Sequence, residues 1–295
     1  MIREFSTYHP AVSFGFFCIV ICSSFFMFHP VYMMIALAAS AVYALLLGGI
    51  KVLKFMVCFL LPVIAVSAAV NALVNPRGAT VLLYTEDIQI TEEALIYGVF
   101  TGMMISSVLL WFSCFNRIMT SDKIIYLFGR LMPVISMMIS MVMRFIPRFR
   151  IQIRKISQAQ RCMGRDAGSG SLGKRLEQGM SIMSVMFTWA MENSIDSADS
   201  MRARGYGTGR RSFFSTYRFD RRDRISLLII LLFTAVVLAG AAVGSCHMEF
   251  YPEIVIPETE GIDVIFYVSY LLLCFFPVII EAKEVILWKY LQSKI

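Results

Sequence analysis

Six stretches of this sequence are long and apolar enough to cross a lipid bilayer, and nothing else in it restricts the fold so tightly. They run over about 11–28, 31–49, 52–74, 94–115, 225–246 and 264–281, each near the roughly 20 residues that a transmembrane helix needs. In hydrocarbon every backbone N–H and C=O must be satisfied inside the segment, so these stretches are read as helices. The charge content agrees. Of 295 residues only 16% are charged while 58% are hydrophobic, where a soluble domain carries about 25% charge. His29-Pro30, Gly48-Gly49 with Lys51, and Asn75-Pro76-Arg77-Gly78 separate the first four spans. A polar loop, Tyr84 to Glu93, leads into the fourth. The first run, about Val12 to Phe28, follows a single basic residue, Arg3, and has no small-residue cleavage site, so it is expected to stay as a transmembrane helix.

Lys and Arg set the orientation. With the N-terminus in the cytoplasm, the outer loops are residues 29–30, 75–93 and 247–263, and they contain one basic residue, Arg77. They also hold Glu86, Asp87, Glu92, Glu93, Glu249, Glu253, Glu258, Glu260 and Asp263. The other 26 of the 27 Lys and Arg residues fall on the inner side. The expected organisation is four spans in residues 1–115, a basic cytoplasmic domain in 116–224, and two spans in 225–295, with both termini in the cytoplasm.

The segment 116–224 holds 20 Lys and Arg against eight Asp and Glu. Its apolar residues are arranged for an interface rather than for lipid. Over 133–163, Val134, Met138, Met141, Val142, Phe145, Phe149, Ile153 and Ile156 recur at steps of three and four, with Arg144, Arg148, Lys155 and Arg161 between them. That pattern predicts a long amphipathic helix. A second is predicted over 174–203, with the stripe Met180, Met183, Phe187, Met191, Ile195 and Ala198 beside Glu192, Asp196 and Asp199. The two can pack on each other, and many of the chain's 20 methionines lie here, flexible side chains suited to surfaces that repack, though Met also simply fills core space.

Several chemistries are excluded. Gly168-Ser-Gly-Ser-Leu-Gly173-Lys174-Arg175 falls short of a Walker A loop, because Arg175 stands where a hydroxyl must hold Mg²⁺; residues 164–173 read as a Gly/Ser link. Gly205-Tyr-Gly207-Thr-Gly209, followed by Arg210-Arg211, reads as glycine ending a helix. The cysteines Cys18, Cys22, Cys58, Cys114, Cys162, Cys246 and Cys274 form no CxxC pair, and His9, His29 and His247 are scattered, so no metal site or cofactor is expected. No nucleophile, base and acid cluster, and the six spans carry essentially no ionisable residue in their middles, unlike ion-coupled carriers. The basic segment itself is compatible with the positive-inside bias or anionic membrane lipid, with nucleic acid, which a six-span chain disfavours, or with acidic partner proteins.

Two helix ends favour the last. One reads Gln160-Arg161-Cys162-Met163-Gly164; the other, 41 residues on, reads Met201-Arg202-Ala203-Arg204-Gly205. In both, glycine closes the helix and basic groups sit at the C-terminus, where the helix dipole favours them.

At these residues the chain resembles the T component of energy-coupling factor (ECF) transporters. Ala198-Asp-Ser-Met-Arg-Ala-Arg-Gly-Tyr-Gly207 is similar to that family's second Ala-Arg-Gly motif, Arg144-Phe-Ile-Pro147 to its mid-segment signature, and Asn71-Ala-Leu-Val-Asn-Pro-Arg-Gly-Ala-Thr80 to its loop after the third span. The resemblance implies an all-α integral membrane protein with about six transmembrane helices and two long amphipathic cytoplasmic coupling helices. It implies a non-enzymatic coupling subunit, in a prokaryotic cell membrane, of an importer for vitamins or metal ions, joining two ABC-type ATPase subunits to a substrate-binding S component. By the same resemblance, Ala203, Arg204 and Gly205, with Arg202, fit one ATPase groove, and Cys162, Met163 and Gly164, with Arg161, the other. The first motif has Met163 where the family has Arg, so the two contacts are expected to be unequal. A competing reading is a stand-alone channel or carrier whose basic segment regulates it; no residue cluster supports a membrane enzyme.

Overall fold

The computed structural model describes residues 4–75, 78–85, 88–165, 168, 171–208, 217–244, 246, 248, 250 and 261–292. Arg77, Glu86, Asp87, His247, Glu249, the acidic residues of 251–260, and Gly209 to Arg211 lie outside them, as do Asp166, Ala167, Ser169 and Gly170 of the Gly/Ser link. The chain divides into two compact units, one of Met1–Ile124 with Tyr217–Ile295, the other of Ile125–Thr216.

The first unit is a helical membrane unit. After a 3₁₀ turn, Glu4–Thr7, come α1 (Pro10–Phe26), α2 (Pro30–Gly48), α3 (Ile50–Phe55), α4 (Leu61–Val74), α5 (Glu92–Ile118) and the start of α6 (Ser121–Leu131); α9 (Arg221–Val243) and α10 (Gly261–Gln292) close it. Five stretches among the described residues are long and apolar enough to span a membrane: Pro30–Gly48, Val52–Val74, Glu92–Ile118, Arg221–Val243 and Gly261–Gln292. The 17-residue α1 is apolar and shorter. The chain is thus an all-α multi-pass membrane protein, as its apolar runs predict.

Local sequence explains the helix boundaries. His9-Pro10 and His29-Pro30 start α1 and α2 in the same way. The histidine ring nitrogen accepts a hydrogen bond from the backbone N–H two residues on, at 3.2 Å to Ala11 and 3.3 Å to Val31. Proline then fills the first helical position, where no donor is needed. The third span winds as a π-turn over Met56–Leu60 between α3 and α4. Pro62 follows at once; it has no N–H to give to the carbonyl four residues back, and its ring crowds that carbonyl.

The segment expected as a polar loop between the third and fourth spans is instead an antiparallel hairpin. β1 (Val81–Thr85) pairs with β2 (Ile88–Thr91), Thr85 opposite Ile88 and Tyr84 opposite Gln89. β-Branched residues fit this pleated pairing better than a loop. The buried Glu93 carboxylate, at the start of α5, accepts from the Thr80 N–H at 3.1 Å and the Thr80 hydroxyl at 2.8 Å.

The core of this unit is aromatic. Phe5, Phe16, Phe17, Tyr32, Tyr43, Trp111 and Tyr270 are completely buried, with Phe16 and Phe17 both edge-on to Trp111 at 6.0 and 6.2 Å. α4 and α5 approach most closely through Gly98 and Gly102. A Cβ on Gly98 would lie 2.7 Å from the Ala68 Cα, and one on Gly102 2.7 Å from the Ile64 Cα. Two glycines four apart on a membrane helix let backbones touch, and dispersion and Cα–H contacts replace the missing hydrophobic drive.

The second unit contains α7 (Pro133–Cys162) and α8 (Leu172–Ala203), of 30 and 32 residues. α7 passes through Pro147 without ending. The two helices pack through Met141, Phe145, Phe149 and Ile156 on α7, and Ile182, Met186 and Trp189 on α8, all partly or fully buried. Phe149 meets Trp189 edge-on at 5.6 Å. The stripe expected on α8 lies on a different face. Met180 is 74% exposed, Met183 68% and Phe187 68%, and Met191 and Ile195 are exposed too. On α7, Ile135, Ile139, Val142, Ile146 and Ile153 form a further exposed apolar row.

Candidate docking site

Both long helices end by the same mechanism. At the end of α7, Met163 adopts φ −88°, ψ 9°, and Gly164 turns to φ +76°. At the end of α8, Arg204 adopts φ −83°, ψ 3°, and Gly205 also φ +76°. The Gly164 N–H donates to the Arg161 carbonyl at 2.9 Å and the Arg165 N–H to the Gln160 carbonyl at 2.9 Å. At the other tip the Gly205 N–H donates to Arg202 at 2.9 Å and the Tyr206 N–H to Met201 at 3.1 Å. These paired bonds satisfy carbonyls that a helix otherwise leaves open, and they require one residue in the left-handed region. The two ends are therefore superimposable in hydrogen-bond pattern, with Gln160 to Arg165 corresponding to Met201 to Tyr206.

The closure directs side chains outward. Arg161, Cys162, Met163, Gly164 and Arg165 are exposed, as are Arg202, Ala203, Arg204, Gly205 and Tyr206. Met163 is 62% exposed, an apolar side chain held at a helix tip with little cover. Arg202 stands 3.9 Å from Asp199, with both side chains mostly in solvent, so this pair contributes at most a few tenths of a kcal/mol. Each tip thus offers two cations: Arg161 and Arg165 on the first, Arg202 and Arg204 on the second. The difference lies in placement. Arg204 occupies the capping position itself, where the first tip has Met163, and Tyr206 stands where the first has Arg165.

Beside the second tip, within the same unit, is an apolar groove of about 440 Å³. Met137, Met141 and Phe145 line it from α7, and Ala198, Met201 and Tyr206 from the α8 side, with Arg202 at its edge. Met201 and Tyr206 are also the two positions whose apolar contact commonly accompanies this kind of helix closure. Gln160 and Arg165 at the first tip lack that character. Among the described residues, no group of three His, Cys, Asp or Glu side chains is placed to hold a metal ion. The chemistry available at the tips is recognition: exposed guanidinium groups on stiff rods, suited to bidentate contact with carboxylates.

All eight residues expected to dock from the sequence are at the two tips. Sequence reading placed Met141 and Phe145 on an apolar stripe, but it overlooked Met137 beside them and gave Tyr206 no part in a groove. The signal for Met137 was present in the step of four from Met137 to Met141 to Phe145, one face of a helix.

Comparison with known proteins supplies the relationship. The family profile described as "CbiQ: Cobalt transport protein" matches residues 6–213. Among curated relatives, an energy-coupling factor transporter transmembrane protein EcfT of Bacillus selenitireducens is 33% identical over 111 residues, 37% of this chain and 41% of that protein. EcfT of Lactobacillus helveticus is 32% identical over 105 residues, 35% of this chain and 38% of that protein. EcfT 1 of Listeria monocytogenes is 28% identical over 198 residues, 63% of this chain and 71% of that protein. The chain therefore spans less than half the length of the first two, and about seven-tenths of the third.

Proposed function

The chain belongs to the CbiQ family of cobalt transport proteins, and from that premise we propose that it is the transmembrane coupling subunit of an ECF-type importer. It links two cytoplasmic ATPase subunits to a substrate-binding S component that recognises a vitamin or metal ion. The ATPases hydrolyse the nucleotide and this chain does no chemistry. In this reading the second unit faces the cytoplasm, as do both termini.

The observation that carries the reading is the pair of matching helix ends. Two rods of 30 and 32 residues, each closed by a glycine at φ +76°, present exposed cations at tips 41 residues apart in sequence. Two equivalent tips suit two equivalent partners, as a pair of ATPases would be. When ATP brings such partners together, rods held at their ends must change angle. The exposed row Met180, Met183, Phe187, Met191 and Ile195 on α8 gives the S component an apolar surface. Unbranched thioethers there can repack as the angle changes.

Arg204 is the stronger contact of the two tips, since a charge-assisted hydrogen bond contributes about 1.5–3 kcal/mol and Met163 can make none. Affinity purification of the tagged chain from its native membrane, with mass spectrometry of what accompanies it, tests the whole reading. ATP-binding-cassette subunits should co-purify, Arg204→Ala should reduce their recovery at least tenfold, and Met163→Ala should reduce it less. Recovery of the chain with no ATPase, or equal losses from both variants, would contradict it.

A further inference from the structure

The first eight described residues make contacts that the coupling reading does not use. Phe5 is fully buried, with its ring 5.4 Å from Phe16 and 6.5 Å from Phe276. The 3₁₀ turn Glu4–Thr7 is thereby fixed in the aromatic core of the membrane unit. From this turn, polar contacts run to two places nearly a hundred residues apart. The Lys123 ammonium donates to the Ser6 carbonyl at 2.6 Å and to the Ile118 carbonyl, at the end of α5, at 3.0 Å. Arg222 donates to the Thr7 hydroxyl at 3.2 Å, and its guanidinium carbon sits 4.4 Å from the centre of the Tyr8 ring. Asp223 accepts from the His9 N–H at 3.2 Å and, with its other oxygen, from the Asp220 N–H at 3.1 Å. The His9 ring meets Phe219 edge-on at 5.0 Å.

The burial is unusual. Lys123 is 5% exposed and Asp223 2%. Carbonyl oxygens return only part of what an ammonium loses on leaving water, and burial holds the Lys123 amine below its ordinary pKa. A charged group kept in place at such cost fixes a geometry. The positions in sequence indicate which. The second unit begins at Ile125 and ends at Thr216, so Lys123 stands just before it and Arg222 and Asp223 just after.

We propose that Phe5–His9 is a clasp that ties together the two points where the second unit leaves and rejoins the membrane helices, with Lys123 and Asp223 as positioning residues that make those points move as one. Its purpose rests on the coupling reading, but its geometry does not. Along the chain, α7 and α8 join the membrane helices at Ile124 and Tyr217. If those two points were independent, the load would be lost in local bending at each. Held to one buried turn, they pass it on to α5 and α9 together.

The test is hydrogen–deuterium exchange on the full chain in lipid nanodiscs, following peptides that cover residues 117–124 and 217–224. Lys123→Met keeps the length of the side chain and removes its donors. Asp223→Asn keeps the shape and weakens the acceptor. Each should accelerate exchange about fivefold in both peptides, the loss of one net hydrogen bond, although each substitution lies in only one of them. Lys123→Arg should restore protection in both. Acceleration confined to the peptide that carries the substitution overturns the clasp. Should Lys123→Met fail to insert, Thr7→Val, which lies in neither peptide, is expected to loosen 217–224 and 117–124 together; no effect on 117–124 overturns it equally. In the complex with its ATPases, Lys123→Met should leave ATPase recovery unchanged and abolish the ATP-dependent change in exchange along α9; persistence of that change overturns the clasp. Failure of ATPases to accompany the unmodified chain would refute the coupling reading, while the exchange result on the chain alone still decides the clasp.

Discussion

Replacing Gly164 or Gly205 by alanine isolates backbone geometry from packing. Both glycines sit at φ +76°. An added Cβ would meet nothing within 4 Å at Gly164, and only the Thr208 hydroxyl at 3.4 Å, an ordinary contact, at Gly205. The whole penalty is therefore the left-handed conformation, about 1–2 kcal/mol for an L-residue. That corresponds to a roughly five- to thirtyfold rise in the population of opened helix ends. Exchange at the amides of Gly205 and Tyr206, bonded to Arg202 and Met201, should quicken by that factor in Gly205→Ala. The amides of Gly164 and Arg165 should do the same in Gly164→Ala. Asparagine tolerates this region better than alanine, so the Gly→Asn variants should recover part of the protection. The local penalties should match while their consequences differ. Gly205→Ala displaces Arg204 and should reduce ATPase recovery, whereas Gly164→Ala displaces Met163 and should reduce it less. If alanine protected as well as asparagine at both positions, the closure would not depend on the sign of φ and the equivalence of the two tips would lose its physical basis.

Gly98→Val and Gly102→Val should each separate α4 from α5, because the added side chain meets backbone atoms at 2.7 Å rather than a movable side-chain end; overpacking of this kind costs about 1–3 kcal/mol, read as a lower midpoint of thermal unfolding in detergent, with Gly15→Val, at a site with nothing within 4 Å, as the control. His29 is buried and capped α2 through its ring nitrogen; burial, only partly opposed by Asp263, holds its pKa below the ordinary value of about 6.5. The unfolded chain therefore takes up the proton first, so the stability that neutral His29 contributes is complete above about pH 6.5 and falls as the pH drops towards the folded value. His29→Asn, which can still cap the helix, should flatten that part of the stability–pH curve, and an unchanged slope would show that His29 does not titrate there.

The membrane helices were legible because the bilayer leaves one solution for a long apolar run. Hydropathy alone did not show how they meet. Gly98 and Gly102 are four apart and could have been read as a close-contact motif, but averaging over the span hid them. The hairpin was obscured by Glu86 and Asp87, which made its surroundings look like a loop, although Ile88-Gln89-Ile90-Thr91 alternates as a strand does. The clasp could not be foreseen at all, since Ser6, Lys123 and Asp223 are brought together only by the fold and two of its acceptors are backbone carbonyls.

The least expected outcome concerns α8. Apolar periodicity selected Met180, Met183, Phe187, Met191 and Ile195, yet these are the exposed residues, and the buried face mixes Ile182, Met186 and Trp189 with the half-buried Gln178, Asn193 and Ser197. A period search finds the greasiest face of a helix, which need not be the one that its neighbour in the same chain covers. In a helix that serves one contact within the chain, the two coincide. Here they differ, and the face of greater hydrophobicity is left open over about four turns. A row of this length is larger than the isolated apolar side chains a folded surface normally tolerates. On the proposed coupling reading, an open apolar face beside a seam that holds polar groups suits a subunit that slides against a second membrane protein: a seam loose enough to change angle, and an outer face that stays greasy at every angle.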